Sequence, residues 1–187
     1  LRSTVIRIHQ SLSVWFTRID KTLINYYNNH VRVDMNNFEE LLYGHYRNKM
    51  QAMSNPAQWP QIDIKIWSTQ SGVFESKSWY KYKGEKEAYN WLRYRIVEST
   101  ETTVKTDIYN YLSTEDSCPF IWTWDGKWWT GIPDGPCHVG KFLIKSRIRF
   151  NGLDYRSLDQ GWDTELDQQA WGKPEEEGEF LFTLLDK

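Results

Sequence analysis

The spacing of hydrophobic residues changes once along this chain, and the change predicts a helix followed by many strands. From Asn36 to Met53, apolar side chains recur three and four residues apart, as on one face of an α-helix. Asn36 suits the N-cap, Glu39 stands at the capping-box position, and Pro56 disfavours helical geometry in the residue before it. We therefore expect one helix that begins at Asn36, ends before Pro56 and packs on a sheet.

After Pro60 the hydrophobic period becomes two, which is typical of strands with one buried face. Two turn pairs, Asp125-Gly126 and Asn151-Gly152, each join two such segments as a hairpin. The predicted strands cover residues 61–67, 73–82, 91–97, 103–111, 120–124, 127–130, 141–150, 153–158 and 179–185. Many short strands after one helix predict an all-β protein built as an antiparallel sandwich or barrel.

Residues 1–34 differ from the rest of the chain in charge and in tryptophan content. They carry five Lys or Arg against two Asp, although the whole chain has a net charge of −2, and they hold one Trp. The first methionine is Met35. We expect a domain at 35–187 and an upstream or added extension at 1–34. The alternative is a native N-terminal helix, because the apolar residues of 1–34 also have helical spacing.

Composition and charge argue against several classes of function. The chain has 187 residues, of which 26% are charged and 40% apolar, as expected for a globular domain with its own core. A nearly neutral chain lacks the basic track that nucleic acids require. Neither a membrane-spanning apolar run nor a nucleotide-binding or GxSxG motif occurs, and the four histidines lack metal-ligand spacing. We therefore expect no nucleic-acid, membrane or metal partner.

The two cysteines, Cys118 and Cys137, stand on opposite sides of the Asp125-Gly126 turn. Two cysteines do not make a disulfide framework, so a reducing compartment such as the cytoplasm is expected. A thiol near a cation could act as a nucleophile. The simpler interpretation is a pair of small buried apolar side chains.

Aromatic residues are over-represented, with 11 Trp, 11 Tyr and 8 Phe. In the predicted strand 91–97, Trp91, Arg93 and Arg95 share one face, and Tyr94 lies on the other. Guanidinium groups bind carboxylates and stack on flat π-systems, so the arginine face suits an anionic, partly apolar ligand. The alternative is a solvent-exposed face on which the arginine stems cover apolar surface.

Three carboxylates are candidates for chemistry at a barrel rim. Asp159 and Asp163 follow the end of a predicted strand, and Glu75 lies within another. Such a group could accept hydrogen bonds from a ligand or act as a general acid. The alternative for the two aspartates is that they only satisfy backbone N–H groups of a turn.

The aromatic strands leave two ligand classes open. A flat conjugated pigment would use rings, arginines and an aspartate together. A carbohydrate would stack on indole rings, for which the candidates are Trp122, Trp124, Trp128 and Trp129.

Several short motifs occur in the order found in one known family, and their number and order make them specific. They are Gln51-Ala52-Met53-Ser54-Asn55-Pro56, Leu92-Arg93-Tyr94-Arg95-Ile96, Asp116-Ser117-Cys118, Trp124-Asp125-Gly126, Gly135-Pro136-Cys137, Ser157-Leu158-Asp159-Gln160-Gly161-Trp162-Asp163 and Trp171-Gly172. Over roughly residues 35–182 the chain resembles the CpeT/CpcT-type phycobiliprotein lyases of cyanobacteria and their phages. Members of that family deliver linear tetrapyrroles, or bilins, to cysteines of phycobiliproteins.

The resemblance implies an antiparallel calycin- or lipocalin-like β-barrel with the N-terminal helix packed on it. It implies a bound bilin, with phycoerythrobilin expected, and delivery to a phycoerythrin-like subunit by a lyase or a pigment chaperone, with a homodimer as a possible assembly. Asp159 and Asp163 would be the catalytic carboxylates. The bilin would contact Arg93, Arg95, Trp91, Glu75, Tyr94, Trp162 and Cys137. The alternative is a Trp-rich barrel that binds carbohydrate or protein partners and has no bilin role.

Overall fold

The computed structural model describes residues 37–111 and 118–187. In these residues it has two short α-helices, α1 (Phe38–Leu42) and α2 (Lys49–Ser54), and 3₁₀ turns at Glu85–Glu87 and Glu175–Glu177. The strands are β1 (Gly44–Arg47), β2 (Ile62–Gln70), β3 (Val73–Tyr80), β4 (Asn90–Ser99), β5 (Thr103–Asn110), β6 (Cys118–Trp124), β7 (Trp129–Pro133), β8 (His138–Val139), β9 (Phe142–Phe150), β10 (Asp154–Asp163), β11 (Gln168–Gly172) and β12 (Phe180–Asp186).

Ten of these strands form a closed antiparallel barrel. The order around the ring is β12-β1-β2-β3-β4-β5-β6-β7-β9-β10, and the first half of β10 pairs with β12 to close it. The second half of β10 pairs with β11, and the short β8 pairs with the start of β9. The predicted all-β, calycin-like barrel is confirmed.

The two-residue period of the strands decides which side chains fill the barrel. The buried isoleucines Ile62, Ile64 and Ile66 lie on one face of β2, as predicted. Phe74 of β3 stands opposite Tyr94 of β4, and their rings stack with centroids 4.6 Å apart. Since both rings belong to the core, this pair places the even-numbered residues of β4 inside the barrel.

Aromatic side chains fill one part of the barrel beneath α1. The buried ring of Phe38 makes edge-on contacts with the rings of Trp122, Trp129 and Phe150, at centroid distances of 5.4, 5.1 and 5.3 Å. Trp122 Nε1 donates to Thr106 Oγ1 at 2.9 Å, so burial leaves no indole N–H unpaired there. These core rings explain part of the aromatic excess.

Other tryptophans lie on the outer surface of the barrel beneath cationic side chains. Lys77 Nζ is 4.2 Å from the ring centroid of Trp91. The guanidinium groups of Arg149 and Arg156 lie 4.9 and 4.7 Å from the Trp128 ring. Cation–π contacts of this kind stabilise aromatic rings that lie outside the barrel interior.

The predicted single helix is wrong, because strand β1 separates α1 from α2. β1 pairs with β12 on one side and β2 on the other, and these hydrogen bonds outweigh the local helical pattern. Gly44 opens the strand with a φ of 151°, which favours glycine, and Tyr46 is fully buried. Asn37 precedes α1 without a side-chain capping bond, whereas the predicted N-cap Asn36 lies outside the described residues.

The predicted strands are confirmed in place, although some are longer than expected and three further strands, β1, β8 and β11, occur. β10 continues to Asp163, and the short strands β8 and β11 have no clear alternation in the sequence. The predicted extension at 1–34 lies outside the described residues and stays a prediction. Among the described helices, none is long and apolar enough to cross a membrane.

Cys118 and Cys137 are joined by a disulfide, so the expectation of two free, buried thiols is wrong. The β6–β7 hairpin folds the chain back on itself, and the N–H of Asp134 donates to the carbonyl of Pro119 at 2.8 Å. This return brings the two cysteine Cα atoms to 5.5 Å. The sequence shows the turn but not the path of the loop that follows β7.

The packing of α1 predicts a large difference between two leucine truncations. Leu42 is 2% exposed in the core, whereas Leu153 is 67% exposed in a turn. Leu42→Ala should lower the free energy of unfolding by about 2–5 kcal/mol, because it leaves a cavity under the helix. Leu153→Ala should change it by less than about 0.5 kcal/mol. Urea unfolding measures both, and equal effects would contradict this placement of α1.

The disulfide predicts a stability that depends on reductant. Its closed loop has a sequence separation of 19 residues, so removing the bond should cost about 3 kcal/mol of unfolding free energy. Dithiothreitol should destabilise the wild type and leave Cys137→Ser unchanged. Thiol titration of the unfolded, unreduced protein should find no free cysteine, and two free thiols would refute the bond.

Candidate functional site

Beyond the aromatic core the barrel contains a cavity of about 640 Å³ that opens at one end. Ligand sites commonly have volumes of about 300–1,000 Å³. Its wall is mostly apolar, with contributions from Ile62, Ile64, Leu92, Ile108, Ile148 and Phe182. Side chains that face inward at this end are therefore the candidate ligand contacts.

Asp159 projects from β10 into this cavity and is the acidic group among the described lining residues. Its side chain is exposed toward the lumen, and the barrel wall around it partly desolvates the carboxyl. This desolvation raises the pKa of the Asp159 carboxyl, and hydrogen bonds from the hydroxyls of Ser146 and Ser157 offset only part of the rise. The cavity thus presents a carboxylate that would gain from a cationic or N–H-bearing ligand.

Small polar side chains accompany Asp159, and the sequence analysis did not single them out. Ser76 and Ser78 of β3 line the cavity together with Ser146 and Ser157. The available signal was parity, because Ser76 and Ser78 lie on the same face of β3 as Phe74. A serine in a strand does not by itself indicate a ligand site, and it becomes a candidate only when the inward face of the strand is known.

Aromatic rings and one lysine stand at the cavity mouth. The rings of Tyr80 and Tyr89 lie with centroids 4.9 Å apart, and Trp171 lines the wall on the β11 side. Lys173 Nζ is 2.9 Å from Glu177 Oε2. Among the described lining residues Lys173 is the cationic one, and its ammonium group is already paired with Glu177.

The arginine pair does not face the cavity. Arg93 Nη2 donates to Glu75 Oε1 at 2.9 Å, and Arg95 Nη2 donates to Asp107 Oδ2 at 2.6 Å, both on the outer surface. Their side chains are 46% and 55% exposed. The arginine face of β4, on which a bilin contact was expected, therefore points out of the barrel, because the residue between the arginines, Tyr94, is the one inside. A ligand contact at either arginine stays a prediction.

Glu75, Trp91 and Arg93 do come together, but in an outer cluster. The Glu75 carboxylate accepts hydrogen bonds from Trp91 Nε1 at 3.1 Å, from Arg93, and from the Tyr111 hydroxyl at 2.9 Å. Desolvation would raise the pKa of Glu75, but these donors together lower it below its ordinary value. The carboxylate is already satisfied by protein groups and borders a shallow outer groove.

Asp163 has the turn role that the sequence analysis left open. Lys141 Nζ lies 2.8 Å from its Oδ2, and its Oδ1 accepts the N–H groups of Glu165 and Leu166 at 3.0 and 3.1 Å. The hydrogen bond from Lys141, aided by the two N–H groups, lowers the pKa of the carboxyl. Asp163 is not among the residues that line the cavity.

Of the three remaining residues predicted to contact the ligand, one lines the cavity and two do not. Tyr94 lines the cavity. Trp162 lies outside it, with Lys145 Nζ 4.1 Å from its ring centroid. Cys137 is bonded to Cys118, and Cys118 is the partner that reaches the cavity wall.

Solved structures share this architecture, although no family model and no curated protein sequence matches the chain. The T-type phycobiliprotein lyase CpeT from Prochlorococcus phage P-HM1 superposes with a TM-score of 0.61. The chain has the fold of a phycobiliprotein lyase. The alignment has 22% identity and covers 79% of this chain and 95% of the phage protein. The resemblance read from the motifs is confirmed at the level of the fold.

The second structure is the CRL protein of Arabidopsis, with a TM-score of 0.59 and 15% identity. The match covers 84% of this chain and 98% of the plant protein. One barrel architecture therefore accommodates very different sequences, and function has to be argued from the cavity of this chain.

Replacing either aspartate of β10 with asparagine should change the stability of the protein, in opposite directions for Asp159 and Asp163. The raised pKa of Asp159 means that its ionisation costs stability, so its contribution is lost as pH rises through the folded pKa. The lowered pKa of Asp163 means that its contribution is lost as pH falls. At pH 7 Asp159→Asn should therefore stabilise the protein and Asp163→Asn should destabilise it.

The Asp159 difference should vanish below the ordinary aspartate pKa of about 3.9, because its carboxyl is then protonated in both states. The Asp163 difference should shrink only at still lower pH, as pH falls through its lowered folded pKa. Urea unfolding at neutral and acidic pH measures them. A loss of stability in Asp159→Asn at neutral pH would show that its carboxylate is well solvated or paired, contrary to the cavity described above.

Proposed function

We propose that the barrel cavity binds a linear tetrapyrrole and presents it for attachment to a cysteine of a phycobiliprotein subunit. The observation that carries this proposal is Asp159, the one acidic group among the described residues that line a mostly apolar lumen, where serine hydroxyls are its partners. A bilin has extended conjugated rings for the apolar wall and pyrrole N–H groups for the carboxylate. The shared fold with a phycobiliprotein lyase supports the same conclusion.

The Asp159 carboxylate would favour the protonated form of the pigment. Protonation spreads positive charge over the conjugated system and makes its ethylidene carbon more electrophilic. The acceptor thiolate then forms a carbon–sulfur bond, and the ethylidene π electrons move into the conjugated system, which takes up a proton. The barrel contributes chiefly by holding one face and one carbon toward the acceptor.

The position of Asp159 sets the direction in which the pigment enters. Its N–H groups belong at Asp159, and its carboxylate arms then extend toward the mouth and solvent. Arg93 and Arg95 cannot hold these arms while the pigment lies inside the barrel, since both side chains leave the outer face.

The finer points of the proposal rest on the sequence motifs. They are phycoerythrobilin as the pigment, a phycoerythrin-like acceptor, a homodimer, and the cytoplasm as the compartment. The disulfide between Cys118 and Cys137 removes one argument for a reducing compartment, because that argument assumed unpaired thiols.

The tryptophans considered for sugar stacking give the carbohydrate alternative little support. Of the four tryptophans considered for sugar stacking, Trp122, Trp128 and Trp129 are buried, and Trp124 packs on Trp129 with ring centroids 5.6 Å apart. A sugar needs an exposed ring face, which three of these four do not offer.

Titration with phycoerythrobilin tests the proposal. Wild-type protein should sharpen and red-shift the pigment absorption at near-stoichiometric ratio. Asp159→Asn should bind about tenfold more weakly, because a charge-assisted hydrogen bond is lost. Arg93→Ala should bind as the wild type does, since its guanidinium lies outside the cavity.

An unchanged spectrum with wild-type protein would refute bilin binding. Weaker binding in Arg93→Ala together with normal binding in Asp159→Asn would move the pigment to the outer groove. Adding apo-phycoerythrin and running a denaturing gel separates the two modes of delivery. Pigment that migrates with the acceptor indicates a lyase, and pigment that stays unattached indicates a chaperone.

A further inference from the structure

Trp171 holds a position that no other tryptophan of the described residues shares, because it lines the cavity. It stands at the mouth on β11 and is 43% exposed. The other tryptophans in the described part of the chain lie in the core or on the outer surface. An indole left partly open beside a ligand-sized cavity is available for stacking.

Gly161 makes room for this indole. Gly161 of β10 stands opposite Trp171, and a Cβ atom on Gly161 would lie 2.1 Å from the ring atoms Cε2 and Nε1. Gly161 is also opposite Ile144 of β9, which lines the cavity. Directly paired residues share a face, so the ring lies over the inner side of β10, two residues beyond Asp159.

A β-bulge aims the Trp171 side chain inward. Trp162 pairs with Gln169, and Gly161 pairs with Trp171, so Ala170 is an extra residue in β11. Without the bulge, Gln169 and Trp171 would share one face of the strand. With it, Gln169 takes the outer face of Trp162, and Trp171 takes the inner face of Gly161.

An aromatic pair faces Trp171 from the opposite wall. β4 and β10 are five strands apart in the ring of ten. The start of β4 therefore lies across the mouth from the end of β10. Tyr89, just before β4, lines the cavity with Tyr80.

We propose that Trp171 and Tyr89 clamp a planar conjugated ligand at the mouth and thereby select flat pigments over flexible aliphatic chains. This inference rests on the function proposed above. The apolar wall alone does not discriminate, because a fatty acid buries as much hydrocarbon as a pigment does. Two ring faces on opposite sides favour a π-system, since stacking adds to the gain from burial.

Parallel titrations with phycoerythrobilin and with oleate test the clamp. Trp171→Leu keeps apolar bulk but removes the flat face, so it should bind the pigment about tenfold more weakly and bind oleate as tightly as the wild type does. Trp171→Phe should recover most of the pigment affinity. The matched control is Trp67→Leu, which makes the same change on the outer face of β2, where Lys77 Nζ lies 6.0 Å from the ring.

The outcomes separate the clamp from the proposed function. Equal losses for pigment and oleate in Trp171→Leu would show that the ring only shapes the cavity, and would overturn the clamp. Unchanged pigment affinity in that variant would overturn the clamp and leave bilin binding intact. Wild-type protein that binds no pigment would overturn both, and circular dichroism of each variant verifies that the barrel is folded.

Discussion

Closure of the ring at β1 is the constraint on which the cavity depends. This four-residue strand hydrogen-bonds to β2 and to β12, two strands that would otherwise expose open edges. A barrel open at that seam would admit water to the lumen, and the Asp159 carboxyl would keep its ordinary pKa. The same closure defeats local sequence analysis, because Gly44 to Arg47 carry a helical pattern and adopt a strand only when both neighbours are present.

Strand existence could be predicted from the sequence, whereas the inner face of β4 could not. Both faces of that strand carry large apolar groups, so periodicity alone leaves the choice open. Two cross-strand pairs decide it: Phe74 stacks on Tyr94 inside, and Glu75 binds Arg93 outside. Each pair joins residues from two strands, and their register was needed to see that the arginines and their acids satisfy one another away from the cavity.

A pattern of residue types also does not show how deep in the barrel a strand residue lies. Asp159 and Asp163 have the same parity and lie four residues apart, so the sequence treats them alike. Asp163 ends β10, where Lys141 and two turn N–H groups take its oxygens. Asp159 stands deeper, where hydroxyls are its partners. The bulge that turns Trp171 inward is hidden for the same reason, since it exists only relative to β10.

The acids of the barrel strands differ in their partners, and this difference points to function. Glu75 and Asp163 each have a cationic partner, and buried Asp63 accepts from Arg47 Nε at 2.8 Å and contacts His45 Nε2 at 2.7 Å. Asp159 faces the lumen, where its partners among the described residues are hydroxyls, at a cost to folding that grows as the carboxyl ionises. Residues that reduce stability without a local compensation are typical of binding sites, where a ligand supplies the missing partner. A guest with N–H groups along a flat conjugated frame supplies that partner, and its rings match the surfaces that Trp171 and Tyr89 present at the mouth.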